Sequence, residues 1–326
     1  MATTSLYDLA VLDRADEYTG LIEDVTTLSP EFEVFGAHKR PGTWYKTVKR
    51  TTLPTIQFRN SNAGVTASKS GYKSEIKQMF FMDGRLNMDE SVWEADSAHL
   101  GSLWQLEAAG AIRAASILIG QQTWYGTSAD SAGFTGVRSQ LSNTVDAGYH
   151  SATSSTSAYL CWMDEQHGCR YDVGMDGQFA ISAPLRQQIA DPNDSTKAFF
   201  AYVGNLKAWI GFNVGSNLSC WGITGISSNA VANWMTDDKA SQLLAKIPVA
   251  RRTNLRWFMN RTTESFLQRS RSTINVGIFA TGGTNNPMSV QPANAGGYPA
   301  MSPLPNSCMG YPITLTDSIL DTETNS

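Results

Sequence analysis

Cysteine is scarce: there are four in 326 residues, at positions 161, 169, 220 and 308, and no two form a CxxC pair. That spacing excludes a small disulfide-stapled scaffold, and a reducing, cytosolic compartment of synthesis is the simplest reading. Charge is also thin, at 17% of residues against 41% hydrophobic, which describes a globular chain and not a disordered one. The net charge of −4 argues against a sequence-independent nucleic-acid binder. No apolar run reaches the roughly 18 residues of a membrane helix. The best stretch, residues 108–119, is interrupted by Arg113. The first residues lack a basic start and a long apolar core, so no signal peptide and no membrane partner are expected.

Reactive motifs are missing too. There is no GxxxxGK[ST], no GxGxxG opening a helix, no GxSxG and no HExxH. Cys161, His167 and Cys169 fall within nine residues, but zinc commonly takes four ligands and no second pair lies nearby. The stretch from Asp191 begins like a calcium loop and then fails, with Thr196 at its sixth position and Tyr202 at its twelfth. The sequons at Asn193, Asn217 and Asn260 carry little without a secretory route. No metal, cofactor or catalytic residue is therefore expected, and the chain is not read as an enzyme.

What is present is uneven charge. Residues 1–35 hold eight acids and one base, whereas residues 36–85 hold ten bases and two acids. The two segments could pair within one chain or between copies, or each could be a solvated surface. Residues 1–35 read as an arm with a short helical hint at 5–16. Residues 36–85 read as a long two-stranded excursion, with strands at 43–48, 55–59 and 75–82 and a small, polar tip. Such a hairpin is marginal alone; it either crosses a neighbour or belongs to an ordinary meander.

Residues 89–118 read as one long helix, about 45 Å at ~1.5 Å per residue. Acidic Asp89, Glu90, Glu94 and Asp96 crowd its start, where the helix dipole favours them. Trp93, Leu103, Trp104, Ala111, Ala115 and Leu118 recur at helical spacing, and Gly120 is expected to end it. A β-rich stretch follows at 159–228. A helix over 235–247 is expected, capped by Thr236 and closed by Pro248. A buried strand at 254–260, a helix at 261–271, a loop at 281–307 and a last strand at 311–320 complete the chain, for an α+β fold.

The order of these segments resembles the major capsid proteins of tailed phages, with the Hong Kong 97 fold. The stretch RTTLPTIQFRNSNAGVTASKSGYKSEIKQMFFMDGRLNMDE (50–90) is similar to that family's extended loop leading into its spine helix. ILIGQQTWYGTSADSAGFTGVRSQL (117–141) resembles the segment after the spine, where a Gly-rich turn precedes a strand that would start here at Gly136-Val137. MTDDKASQLLAKIPVARRTNLRWFMNRTTESFLQ (235–268) resembles the helix, strand and helix of the axial domain, and SCMGYPITLTDSILD (307–321) its closing strand.

The resemblance implies an N-terminal arm (1–35), an extended loop (36–85) and a peripheral domain with the spine helix (86–145). It further implies an axial domain (146–280), with a possible insertion at 146–230, and a C-terminal loop and return strand (281–326). It implies a virion protein forming hexamers and pentamers of an icosahedral head around double-stranded DNA. Scaffolding and portal proteins, and a decoration protein in some relatives, are the partners it suggests. Cross-linking through a loop lysine is not carried over, because no partner Asn can be matched. Candidate self-assembly residues are Arg59, Lys69, Lys73 and Lys77 on the loop, facing Asp89, Glu90 and Glu94 or the acids of the N-terminal arm on a neighbour. A cellular encapsulating shell of the same fold and a secreted glycan-binding β protein are the alternatives.

Overall fold

The computed structural model describes residues 26–99, 103–151, 154–164, 167–177, 179–191, 196–280 and 303–323. The helical hint at 5–16 and most of the loop at 281–307 lie outside them.

Two sheets and a projecting hairpin carry the architecture. The first sheet is organised by one strand of 17 residues, β10 (Ala198–Val214). Along one edge it pairs antiparallel with β4 (Phe80–Asp89), from Ala201 opposite Asp89 to Ile210 opposite Phe80. Along its other edge it takes three shorter strands in succession: β9 (Leu185–Ala190), β8 (Phe179–Ile181) and β7 (Cys169–Val173). β1 (Ala37–Lys39) adds to β7 in parallel.

The second sheet runs β13 (Ser307–Cys308), β14 (Tyr311–Leu315), β12 (Leu255–Met259), β6 (Thr156–Trp162), β11 (Cys220–Ile226) and β5 (Asn143–Asp146). Both its faces are covered, so β6 is buried from Thr156 to Cys161. Alternation along each strand sorts the side chains. Leu160, Trp221, Ile223, Trp257 and Met259 face Leu243, Phe266 and Leu267 of two helices, α4 (Asp237–Ala245) and α5 (Arg261–Ala280). Tyr159, Cys161, Cys220 and Phe258 face the first sheet.

Between the sheets lies the end of the long helix. Helix α2 (Glu90–His99) and helix α3 (Leu103–Tyr125) occupy the stretch expected to be one helix; residues 100–102 lie outside the described residues. Helix α3 runs past Gly120 to Tyr125, a correction to the expected end. Gly120 is there for close approach: a Cβ would stand 2.2 Å from Ser318 Oγ and 2.9 Å from Glu31 Oε2. The stop is Gly126, whose φ of +59° suits a residue without a side chain. Gly136-Val137 does not open a strand; Val137 is helical in φ and ψ and buried under α3.

At the helix end Trp124 is wholly buried. Its ring stacks on Tyr159 at 5.0 Å between centroids and tilts onto Phe258 at 5.1 Å. Its indole N–H donates to Glu31 Oε1 at 2.8 Å. Glu31 and Phe35 belong to a short helix, α1 (Glu31–Phe35), and both are buried, so the last residues of the expected arm are core.

The closing segment fastens the same region. Thr316 Oγ1 donates to Glu31, and Glu323 accepts from Ser157, Tyr125 and Tyr159. Burial raises the carboxyls of Glu31 and Glu323, against the hydrogen bonds each accepts.

Strands of the stretch 146–280 enter both sheets: β7, β8 and β9 each pair with β10, which pairs with β4, while β6 lies between β11 and β12, and β12 pairs with β14. Residues 80–85, drawn as loop, belong to β4. The expected last strand ends at Leu315, where Thr316 to Ile319 turn back toward α1 and α3. Helix α4 starts as expected, with the Thr236 hydroxyl accepting from Lys239 N at 3.3 Å. Helix α5 is capped by Asn260, whose Oδ1 accepts from Thr263 N at 2.9 Å. Asn260 is thus buried structure, which explains the sequon there without glycan.

Candidate assembly surface

The hairpin is β2 (Trp44–Thr52) and β3 (Gly71–Gln78), paired antiparallel from Trp44 opposite Gln78 to Thr52 opposite Gly71. It forms a sheet of its own. The expected strand at 55–59 is absent. Thr55 is instead held by the Ser68 hydroxyl, which accepts from its N–H at 2.8 Å and donates to its carbonyl at 3.0 Å.

Every residue from 50 to 69 is exposed. Among them are Leu53, Val65, Ile56 at 90% and Phe58 fully in solvent. On the strands below, Trp44, Val48, Tyr72 and Ile76 are exposed as well. Scattered exposed apolar residues are ordinary, but a concentration on one projecting element marks an interaction surface.

The seven candidate residues fall into two groups. Arg59, Lys69 and Lys73 stand exposed on the projection; Arg59 reaches no farther than the carbonyl of Ala63, at 3.0 Å. The other four lie against or near their own subunit. Lys77 is half-buried at the hairpin base, 3.4 Å from Glu75 and 3.5 Å from the Val214 carbonyl. Burial and the neighbouring Lys49 lower its pKa, while Glu75 opposes them. Asp89 accepts from Ser91 N at 2.8 Å and so caps α2. Glu90 takes a two-pronged hydrogen bond from Arg186 on β9, the second arm at 3.0 Å, which holds its carboxyl below the usual range. Glu94 is exposed one turn along, within the field of the same Arg186. Asp89 and Glu90 therefore both make contacts within their own chain.

Between hairpin and body lies an open cleft of about 550 Å³. Lys49, Arg50, Lys73, Arg170 and Arg251 line it, against the single acid Glu75. Glu75 pairs with Lys49 at 2.7 Å, and Lys49's hydrogen bond holds its carboxyl low. The cleft is net positive, which sequence order alone did not reveal: Arg170 and Arg251 come from β7 and from the loop after α4.

The metal trio considered in sequence does not assemble. The His167 side chain is 67% exposed and lies beside Asp164, 3.4 Å away. Cys161 and Cys169 are joined by Cys220 instead, all three buried, with sulfurs within 4.8 Å of one another. Residues 192–195 of the calcium-like stretch lie outside the described residues.

The family model for the major capsid protein GP7 matches residues 39–325. The chain belongs to the GP7 family of major capsid proteins. That match spans the hairpin, the long helix, both sheets and the closing segment. No curated protein sequence matches the chain. In structure it is similar to a chain in the cryo-electron-microscopy structure of bacteriophage epsilon15, with a TM-score of 0.67 at 18% identity, covering 99% of this chain and 97% of that one. A chain of the bacteriophage JBD30 capsid aligns at a TM-score of 0.48 and 9% identity, covering 81% of this chain and 90% of that one. The capsid of the myovirus XM1 aligns at 0.44 and 8%, covering 63% and 94%. The fold is the Hong Kong 97 type, as the order of segments suggested, and the GP7 chain is a major capsid subunit of a tailed phage and a component of the virion. Its family is one of structural shell proteins and not of enzymes.

Proposed function

We propose that this capsid protein closes an icosahedral head of hexamers and pentamers around double-stranded DNA, and that its hairpin lies across a neighbouring subunit. The observation that carries this reading is the hairpin itself. Residues 50–69 are exposed throughout and include Leu53, Ile56 and Phe58. An isolated two-stranded hairpin is at best marginal in water, so a second copy is what completes its burial. Permanent assemblies of this kind commonly bury more than about 2,000 Å² per interface.

Charge then selects which surface is met. Asp89 and Glu90 also serve contacts within the subunit, so exposed Glu94 and the acids of residues 1–25 are the complement to Arg59, Lys69, Lys73 and the basic cleft. These include Asp8, Asp13, Asp16 and Glu17. A net-acidic subunit also suits a wall that encloses DNA without gripping it. Synthesis in the host cytoplasm, assembly with scaffolding and portal proteins, and decoration of the finished shell belong to the same reading.

Lys69 and Lys73 are exposed and on no buried contact, so the double substitution Lys69→Glu, Lys73→Glu is expected to leave the subunit folded. Closed particles should fall at least tenfold in yield, with circular dichroism unchanged. Normal particle yield from the double variant would refute the charge pairing.

A further inference from the structure

Three of the four cysteines converge where the two sheets meet. Cys161 on β6 and Cys220 on β11 lie directly opposite each other in the second sheet. Cys169 reaches them from β7 of the first sheet, with its sulfur 3.0 Å from that of Cys220. A buried thiol alone is a small hydrophobe. Three within contact, from strands of two different sheets, are a reactive group.

We propose that Cys161, Cys169 and Cys220 form an oxidisable thiol triad in which Cys169 and Cys220 join as a disulfide that ties the two sheets of the subunit together.

Two further features favour this chemistry. Burial pushes the Cys169 thiol up, but hydrogen bonds from Cys161, Cys220 and the Trp162 backbone outweigh it and bring it down to about 5. Burial together with the neighbouring sulfurs raises the Cys161 and Cys220 thiols, so Cys169 is the one of the three that gives up its proton most readily. Access exists on the Cys169 side, where a surface pocket of about 380 Å³ is lined by Gly36, Ala37, Met163 and Cys169.

The step balances with hydrogen peroxide as oxidant. The Cys169 sulfur attacks one peroxide oxygen as its thiol proton is lost; an S–O bond forms, the O–O bond breaks, and the departing hydroxide takes up that proton as water. The Cys220 sulfur then attacks the Cys169 sulfur; the S–S bond forms, the S–O bond breaks, and the departing hydroxide takes the Cys220 proton as water. Overall two thiols and one peroxide give one disulfide and two waters.

A metal fits the triad less well. Among the described residues no fourth His, Cys, Asp or Glu joins the three sulfurs. Three thiolates around a divalent ion would leave a net negative charge in a core of Tyr171, Phe212 and Val214. The disulfide is neutral. The consequence is directional: the thiols stay reduced during assembly in a reducing cytosol, and the staple closes after release into an oxidising medium.

The test is to treat purified particles with hydrogen peroxide, quench, denature and count thiols, then map peptides without reduction. The triad predicts a fall from four thiols to two per chain, a Cys169–Cys220 linked peptide, and an unfolding midpoint raised by roughly 5 °C. Cys169→Ser should lose both the linked peptide and the shift; if that variant does not fold, the wild-type map decides alone. Four surviving thiols, a Cys169 that stops at sulfinic acid, a Cys161–Cys220 link alone, or stoichiometric zinc in the untreated particles would each overturn it.

Discussion

Replacing Trp124 by Ala is expected to cost about 3–5 kcal/mol, most of the stability of an ordinary domain. The side chain is 0% exposed and lies where the end of α3 meets both sheets. Removing it strips packing from Tyr159, Phe258 and Phe35 at once. It also takes a donor from Glu31, a carboxyl buried far from water, and a lost partner there adds to the cavity cost. The expected outcome is a drop of more than half in soluble subunit yield. In what remains soluble, the denaturant midpoint should shift by the same 3–5 kcal/mol when multiplied by the m-value. Trp124→Phe keeps most of the ring contact and loses the indole N–H, so it should fall between wild type and Ala. An Ala variant of unchanged midpoint would mean that the helix end is not the joint of the subunit.

The second large effect separates folding from assembly. Replacing residues 53–70 by a two-residue Asn-Gly turn joins Thr52 to Gly71, which already face each other. Among described residues, the deleted stretch hydrogen-bonds only within the hairpin. Its loss removes exposed surface and no core, so the unfolding midpoint of the free subunit should move by no more than a few degrees. Shell formation should be abolished, because Leu53, Ile56, Phe58, Lys69 and their neighbours are gone. The measurement is negative-stain microscopy beside calorimetry on the same preparation. Particles of normal size from the shortened chain would place the assembly contacts elsewhere.

Local signals in the chain are legible where a few neighbouring residues decide the outcome. Thr236 followed by Asp237, Asp238 and, ten residues on, Pro248 announces α4 and both its ends. The apolar stretch 254–260 announces β12, and the β-branched and aromatic residues at 43–48 announce the hairpin. Segment order alone carried the resemblance to the capsid fold, which the family match and the epsilon15 likeness support.

What sequence withheld are choices made across long separations. Nothing near 198–214 says that β10 will pair with β4 more than 100 residues earlier. Gly120 reads as a helix stop until Ser318 and Glu31 are seen against it. Cys220 lies 51 residues from Cys169 and could not be joined to it by spacing. Glu90 reads as dipole complement, which it is in position, but its partner Arg186 comes from a strand 96 residues on. The exposed loop residues could have been found: IQF at 56–58 is apolar sequence beside a polar tip, and with strand length set by pairing it had no core to enter.

The claim beneath the assembly prediction is that the hairpin finds its burial on another copy of the chain. Amide hydrogen exchange across residues 50–69, measured in free subunits and in assembled particles, tests it most directly. Fast exchange in the subunit and strong protection in the particle is the expected result. Equally fast exchange in both states would contradict the account.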